Sequence, residues 1–202
     1  VSIVEAKQRL RRQIGTLRRH VEPSRRTEAG DAVMRHVLGW AGLRPVRRVV
    51  LHSALADEVP THGLMRALLQ RGHRLLLPRA GSPDRLEFAE VIDLSALVEG
   101  PFGALQPRLD EPAVPLVDED LLLLPGVAFD LTGGRLGRGG GWYDRSLPPD
   151  VNDLFGIAFE FQIVDHVPAT TLDRRVRGVF TEQGLRICDR PDETREPSVD
   201  PS

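Results

Sequence analysis

Residues 121–147 read LLLLPGVAFDLTGGRLGRGGGWYDRSL, and this stretch decides how the chain is built. Four consecutive leucines predict a strand buried on both faces. Pro125 and Gly126 end it. The loop that follows holds Gly133, Gly134, Gly137, Gly139, Gly140 and Gly141, with Arg135 and Arg138 among them. WYDRSL then opens a helix that stops at Pro148 and Pro149. Strand, glycine loop and helix start, in that order, make a place for phosphate. Glycines let backbone N–H groups turn inward with no Cβ in the way, a helix N-terminus contributes a positive dipole end, and guanidiniums neutralise anionic oxygens.

Generic nucleotide motifs do not describe this loop. A Walker A loop needs Gly-Lys-Ser/Thr after its glycines, whereas Gly141 is followed by Trp142 and Tyr143. The dinucleotide pattern G-x-G-x-x-G fails because Trp142 stands at the third glycine. A flexible surface hairpin is the bland alternative, and the arginines inside the loop with Tyr143-Asp144 behind it argue against that.

Working outward, short apolar runs alternate with helical stretches. Residues 3–20 predict a basic amphipathic helix with Ile3, Leu10, Ile14 and Leu17 as its apolar stripe. Its arginines read as a solvated face. A second helix is expected with Ser24 as its cap after Pro23, carrying Ala29, Ala32, Val33, His36, Val37 and Trp40 at helical spacing. Residues 47–53 predict a strand, Thr61 a cap for a helix running to about residue 71, and residues 74–78 a further buried strand. Residues 86–91 alternate as a strand, 93–99 predict a short helix, and 154–160 another strand. From about Asp189 the chain is polar and proline-containing without periodicity; residues 191–202 are expected to be a disordered tail on a single domain spanning 1–190.

This alternation is the α/β signature: a three-layer sandwich with a mostly parallel sheet and helices on both faces. Ligands of such sheets bind beyond the strands' carboxyl ends. Ser53, Arg79 and the 125–144 loop each follow a strand directly.

Composition narrows the function classes. The 202 residues carry 27 basic and 29 acidic side chains, a net charge of −2, so no nucleic-acid partner is expected. Cys188 is the single cysteine, which excludes an internal disulfide. No apolar run approaches the ~20 residues of a membrane span, and no apolar signal core stands at the start. A cytoplasmic monomer with no membrane partner is expected. The six histidines show no metal-ligand spacing.

The run Pro125, Gly126, Phe129, Asp130, Gly133, Arg135, Leu136, Gly137, Gly139, Gly141, Trp142, Tyr143, Asp144 resembles the signature of the 5-formyltetrahydrofolate cyclo-ligase family, also called methenyltetrahydrofolate synthetases. The resemblance extends from Lys7 to Glu182. It implies ATP-driven, Mg²⁺-dependent cyclisation of 5-formyltetrahydrofolate, with or without a polyglutamate tail, to 5,10-methenyltetrahydrofolate, releasing ADP and phosphate after phosphorylation of the formyl oxygen.

On this resemblance, ATP would be held by Lys7 and Arg11 from the first helix together with Arg135, Leu136, Gly137, Arg138, Gly139, Gly140, Gly141, Trp142 and Tyr143. Folate would meet Ser53, Glu58, Phe102, Gln106 and Tyr143. Glu58 is expected to take the adjacent N–H groups of the pterin edge bidentately; its bland alternative is a solvated loop charge. Asp144 and Asp173 would bind Mg²⁺. No protein nucleophile is implied; Arg135 and Tyr143 support the chemistry. Arg79 is left between ligand contact and sheet-end tie, Phe102 between pocket wall and core, Trp142 between adenine contact and packing, and Tyr143 between substrate contact and loop wedge. His52 and Arg177 depart from the family's common Tyr and Asp. Two rivals stand beside this: a nucleotide-binding module without folate turnover, and a sugar-phosphate enzyme on a related scaffold. Lys7 is the only lysine, which weakens a lysine-based isomerisation.

Overall fold

A computed structural model describes residues 2–82, 84–170 and 173–189 of the chain. The expected tail at 191–202 lies outside the described residues. Helix α1 (Ile3–Arg19) starts on a capping box, in which Ser2 Oγ accepts the Glu5 N–H and the Glu5 carboxylate accepts the Ser2 N–H. Helix α2 (Pro23–Gly39) takes Pro23 rather than Ser24 at its start, and Glu22 caps it without a side-chain bond. Proline's fixed φ and missing N–H suit the first helical position, and this overrides serine's capping preference. Helix α3 (His62–Gln70) is capped in position by Thr61, but that hydroxyl bonds elsewhere, donating to His52 C=O at 2.7 Å and accepting from Ala54 N–H at 3.1 Å.

Strands β1 (Arg48–Val50), β2 (Arg74–Arg79) and β3 (Glu87–Val91) come first. A small hairpin of β4 (Val98–Glu99) and β5 (Leu105–Gln106) follows. The residues predicted as a short helix at 93–99 form only a 3₁₀ turn at Leu94–Ala96 before β4, because Asp93 caps locally onto Ser95. Then come β6 (Leu121–Pro125), β7 (Ala128–Phe129), β8 (Arg135–Leu136), helix α4 (Trp142–Ser146), β9 (Leu154–Ile157), β10 (Gly178–Thr181) and β11 (Gly184–Ile187). β9 stops before residue 160, where a 3₁₀ turn begins.

Seven of these strands form one sheet in the order β11-β10-β9-β6-β1-β2-β3. The central five are parallel and both edge strands are antiparallel. β6 lies at the centre, and all four of its leucines are buried. Leu121 and Leu123 face α2 and α3 through a core with Val33, Val37, Leu64 and Leu68. Leu122 and Leu124 face the opposite layer, where Phe129, Leu147, Val151 and the α4 residue Tyr143 pack. The chain is thus an α/β fold with helical cover on both faces. Trp40 joins the first core against Phe155 and Phe180, with ring centroids 4.9 and 5.7 Å away.

The glycine segment is less open than its composition suggests. β7 and β8 pair as an antiparallel hairpin across residues 128–136. Asp130 holds its turn from inside: Oδ1 accepts Thr132 N–H, Thr132 Oγ1–H and Gly134 N–H at 2.9, 2.7 and 2.9 Å, and Oδ2 accepts Val167 N–H at 2.7 Å. Burial would raise this carboxyl; those donors, led by the Thr132 hydroxyl, outweigh it and hold it below the usual carboxylate range. Asp130→Ala is expected to cost about 3 kcal/mol in urea unfolding, since several buried donors lose their acceptor together. The contribution is complete above the unfolded value of about 3.9 and fades as pH falls through the lower folded value.

Candidate active site

Helix α1 reaches the site along one face. Lys7, Arg11, Ile14 and Arg18 recur at helical spacing. Ile14 is buried with Leu10 against Val127, Ala128 and Leu136 of the hairpin. The predicted stripe is corrected at its ends: Ile3 and Leu17 are exposed, and the inward positions there are Lys7 and Arg18. Lys7 Nζ lies 2.6 Å from Asp173 Oδ2. Arg11 Nε donates to Gly137 C=O at 2.9 Å. Gly139, with φ +114°, lets the loop pass this guanidinium; a Cβ there would sit 3.5 Å from Arg11 Cζ on a backbone that L residues avoid.

Arg18 had no functional signal in the sequence, where it read as surface; only 1 % of it is exposed. Its Nη2 is ion-paired with Asp57 Oδ1 at 2.9 Å and Glu58 Oε1 at 3.3 Å, and its Nε donates to Asp57 C=O at 3.0 Å. Arg138 closes the same cluster from the glycine loop, 2.6 Å from Asp57 Oδ1 and 3.1 Å from Glu58 Oε1. Two guanidiniums therefore grip two adjacent carboxylates. Glu58 Oε2 accepts the Leu55 N–H at 3.0 Å. Burial would raise the Glu58 carboxyl, but His52, the Leu55 N–H, Arg18 and Arg138 together hold it below the usual range. Glu58 is no solvated loop charge. Arg18→Ala is expected to lose about 3–5 kcal/mol of stability in urea unfolding, because removing one partner strands two inward carboxylates. A loss below about 1 kcal/mol would show that Arg138 alone suffices.

A cavity of ≈ 380 Å³ opens beyond the carboxyl ends of β1, β2 and β6. Strand ends contribute His52, Ser53, Arg79 and Pro125; the β5 side contributes Leu105 and Gln106; the glycine segment contributes Arg135, Gly137, Arg138, Gly140 and Gly141, and α4 adds Trp142, Tyr143 and Asp144. Glu58 lines it from the β1–α3 loop. Gln106 spends its Oε1 on the Ala80 N–H at 3.1 Å. Arg79 is chiefly a sheet-end tie: its Nη1 donates to the Glu111 C=O at 2.7 Å, and its Nη2 pairs with Glu87 at 3.0 Å. The Phe102 side chain lies outside the described residues. Leu136 is buried against α1, its C=O accepts the Val127 N–H at 2.6 Å, and it does not line the cavity.

Residues 138–140 are exposed, and among the described residues the backbone N–H groups of 138–141 donate to no protein acceptor. Gly141 adopts φ +63° to start α4. This helix has five residues, so its dipole is much smaller than the predicted helix start implied. The loop amides carry the positive character instead, since Arg135 is paired with Asp144 and Arg138 with Asp57 and Glu58.

Arg135 Nη2 donates to Asp144 Oδ1 at 2.8 Å, and its Cζ stands 5.7 Å from the Tyr143 ring centroid. Burial, with Glu58 nearby, pushes the Tyr143 phenol up, which makes it a donor rather than a base. Asp144 Oδ1 also accepts the N–H of Arg174, the residue after Asp173, at 3.2 Å. Asp173 Oδ2 accepts from Lys7 and from Thr170 N–H and Oγ1–H. Asp144 thus touches the backbone beside Asp173, and these bonds fall on Oδ1 of Asp144 and Oδ2 of Asp173. Among the described residues no group of three or more His, Cys, Asp or Glu gathers as a metal cage. Arg177 pairs with Asp153. No helix of the described residues is long and apolar enough to cross a membrane.

Comparison with known proteins places the chain. A profile of the 5-formyltetrahydrofolate cyclo-ligase family matches residues 3–182. The 5-formyltetrahydrofolate cyclo-ligase of Haemophilus influenzae is 29% identical over 175 residues, covering 84% of this chain and 94% of that protein. The Mycolicibacterium smegmatis 5-formyltetrahydrofolate cyclo-ligase is 30% identical over 186 residues, covering 87% and 93%. The NMR structure of Aquifex aeolicus 5,10-methenyltetrahydrofolate synthetase superposes with a TM-score of 0.78 at 26% identity, covering 96% of this chain and 99% of that one.

Proposed function

The chain belongs to the 5-formyltetrahydrofolate cyclo-ligase family, and from that premise we propose that it uses Mg-ATP to close 5-formyltetrahydrofolate into 5,10-methenyltetrahydrofolate. One observation carries the proposal: a single cavity is lined both by the glycine loop, whose 138–141 amides donate to no protein acceptor among the described residues and whose Arg135 and Arg138 are ion-paired, and by Glu58, so an anionic chain and an N–H-rich ring edge can share one space.

The chemical obstacle is an unreactive formamide. Its nitrogen donates into the carbonyl, and its oxygen leaves poorly. The formyl oxygen takes the γ-phosphoryl group and ADP departs. The neighbouring folate nitrogen then attacks the same carbon and loses its proton, and phosphate leaves. Ring closure is intramolecular, so alignment supplies most of the acceleration. The protein's part is to bind and neutralise charge, as in phosphoryl transfer generally. In this proposal the 138–141 amides hold phosphate oxygens, Arg135 and Arg138 offset their charge, and Lys7 and Arg11 add to the nucleotide side. Tyr143 donates toward the reacting end. Ser53, Gln106 and Glu58 hold the folate.

The free oxygens of Asp144 and Asp173 fit Mg²⁺, which favours one or two carboxylates with phosphate oxygens and water over an all-protein cage. Bound there, the ion would neutralise charge on the transferring phosphate. The test is turnover: purified protein with 5-formyltetrahydrofolate and Mg-ATP, followed by the near-ultraviolet absorbance of the methenyl product and by ADP release. Matched formation of both is expected, with loss on chelation of the metal. ATP binding with no methenyl product would favour the nucleotide-binding module instead.

A further inference from the structure

We propose that His52 supplies half of the acceptor pair that reads the pterin edge, with Glu58 Oε2 supplying the other half. The proposal rests on the folate reading of the cavity and refines it. A carboxylate binding two adjacent N–H donors uses both of its oxygens. Glu58 has only one to offer: Oε1 is already held by Arg18 at 3.3 Å and by Arg138 Nε and Nη2 at 3.3 and 3.1 Å. Oε2 receives the Leu55 N–H and keeps a second lone pair.

The missing acceptor stands beside it. His52 Nδ1 lies 3.2 Å from Leu123 C=O. A carbonyl only accepts, so Nδ1 carries the proton, and Nε2 presents a bare lone pair. That Nε2 is 3.9 Å from Glu58 Oε2, and both residues line the cavity. Among the described residues no donor lies between them. The imidazole is 4 % exposed, and burial holds it below its ordinary value despite Glu58, which keeps it an acceptor at neutral pH. Two close-set acceptors, one anionic and one neutral, select a ligand with adjacent N–H donors. The 2-amino-4-oxo edge of a pterin belongs to that class. Spacing along the chain does not reveal this role, because His52 lies just past the end of β1 and its partner Glu58 is six residues away across a turn.

The test is calorimetric titration of 5-formyltetrahydrofolate into protein saturated with a non-hydrolysable ATP analogue and Mg²⁺, with wild type, His52→Phe and His52→Gln. His52→Phe keeps a ring and loses the acceptor; folate affinity is expected to fall at least about tenfold, the worth of one good hydrogen bond, with nucleotide affinity changed less than about threefold. His52→Gln restores an acceptor and is expected to recover folate affinity to within about threefold of wild type. A pH series separates this from a packing role. Charged groups facing the ring are Glu58 and Arg18, and both keep their charge between about pH 5.5 and 8. Protonation turns Nε2 into a donor toward Glu58, so wild-type folate affinity falls on the acid side while that of His52→Gln stays flat. Unchanged folate affinity in His52→Phe, or the same acid-side fall in His52→Gln, overturns the role of His52. Wild-type protein that binds nucleotide but no folate at any pH overturns the folate reading itself.

Discussion

Asp144→Asn is expected to lower turnover about a thousandfold while the urea midpoint stays close to wild type. Asparagine is nearly isosteric and retains an oxygen for Arg135 Nη2 and the Arg174 N–H, which now meet at Oδ1 at 2.8 and 3.2 Å. Folding therefore loses one partly exposed ion pair, worth about 1 kcal/mol or less. Chemistry loses more. The oxygen that would bind Mg²⁺ loses its charge, and Arg135 keeps its place against Pro125 C=O and the Tyr143 ring but loses its anionic partner. The measurement is the methenyl absorbance assay run as a Mg²⁺ titration. Activity within a few-fold of wild type at ordinary magnesium would remove Asp144 from the metal site.

Glu58→Gln is expected to raise KM for folate about a hundredfold, with KM for Mg-ATP within about threefold. The substitution replaces the anionic acceptor of the proposed pair with an amide, whose N–H₂ would oppose a donor edge. It also leaves Arg18 with Asp57 alone as its inward carboxylate, at 2.9 Å. A loss of about 1–3 kcal/mol in unfolding free energy accompanies the kinetic change. Assays at a temperature where both proteins are folded separate the two effects. Equal rises in both KM values would contradict the pterin role, since a general loosening moves both substrates.

Much of the architecture was legible because it is written locally. The leucines of β6 announce a strand without a polar face, and such a strand belongs at the centre of a parallel sheet. The family resemblance singles out Lys7 and Arg11 and their spacing puts them on one helix face; that face meets Asp173 and Gly137. The misreadings were local as well. Ser24 reads as a cap, but the helix starts at Pro23 with Glu22 as its cap, and the helix expected at 93–99 is a 3₁₀ turn capped by Asp93. The 128–136 hairpin was hidden by its glycines, since pairing there depends on the buried Asp130 carboxylate and on Val167, a distant donor.

Arg18 and His52 mark where local reading stops. Arg18 stands among Arg12, Arg19 and other charges that face water, and nothing in that run says which arginine turns inward. Its partners lie about forty residues away, in a loop whose acidity looks equally ordinary. The order of elements, the glycine loop and the family were legible in the one-dimensional pattern, because periodicity and turn residues act over a few positions. Which carboxylate oxygen is occupied, which imidazole nitrogen is bare and which arginine is buried were decided by the tertiary structure alone. Those properties depend on desolvation and on partners from separate strands, and neither is a function of spacing along the chain.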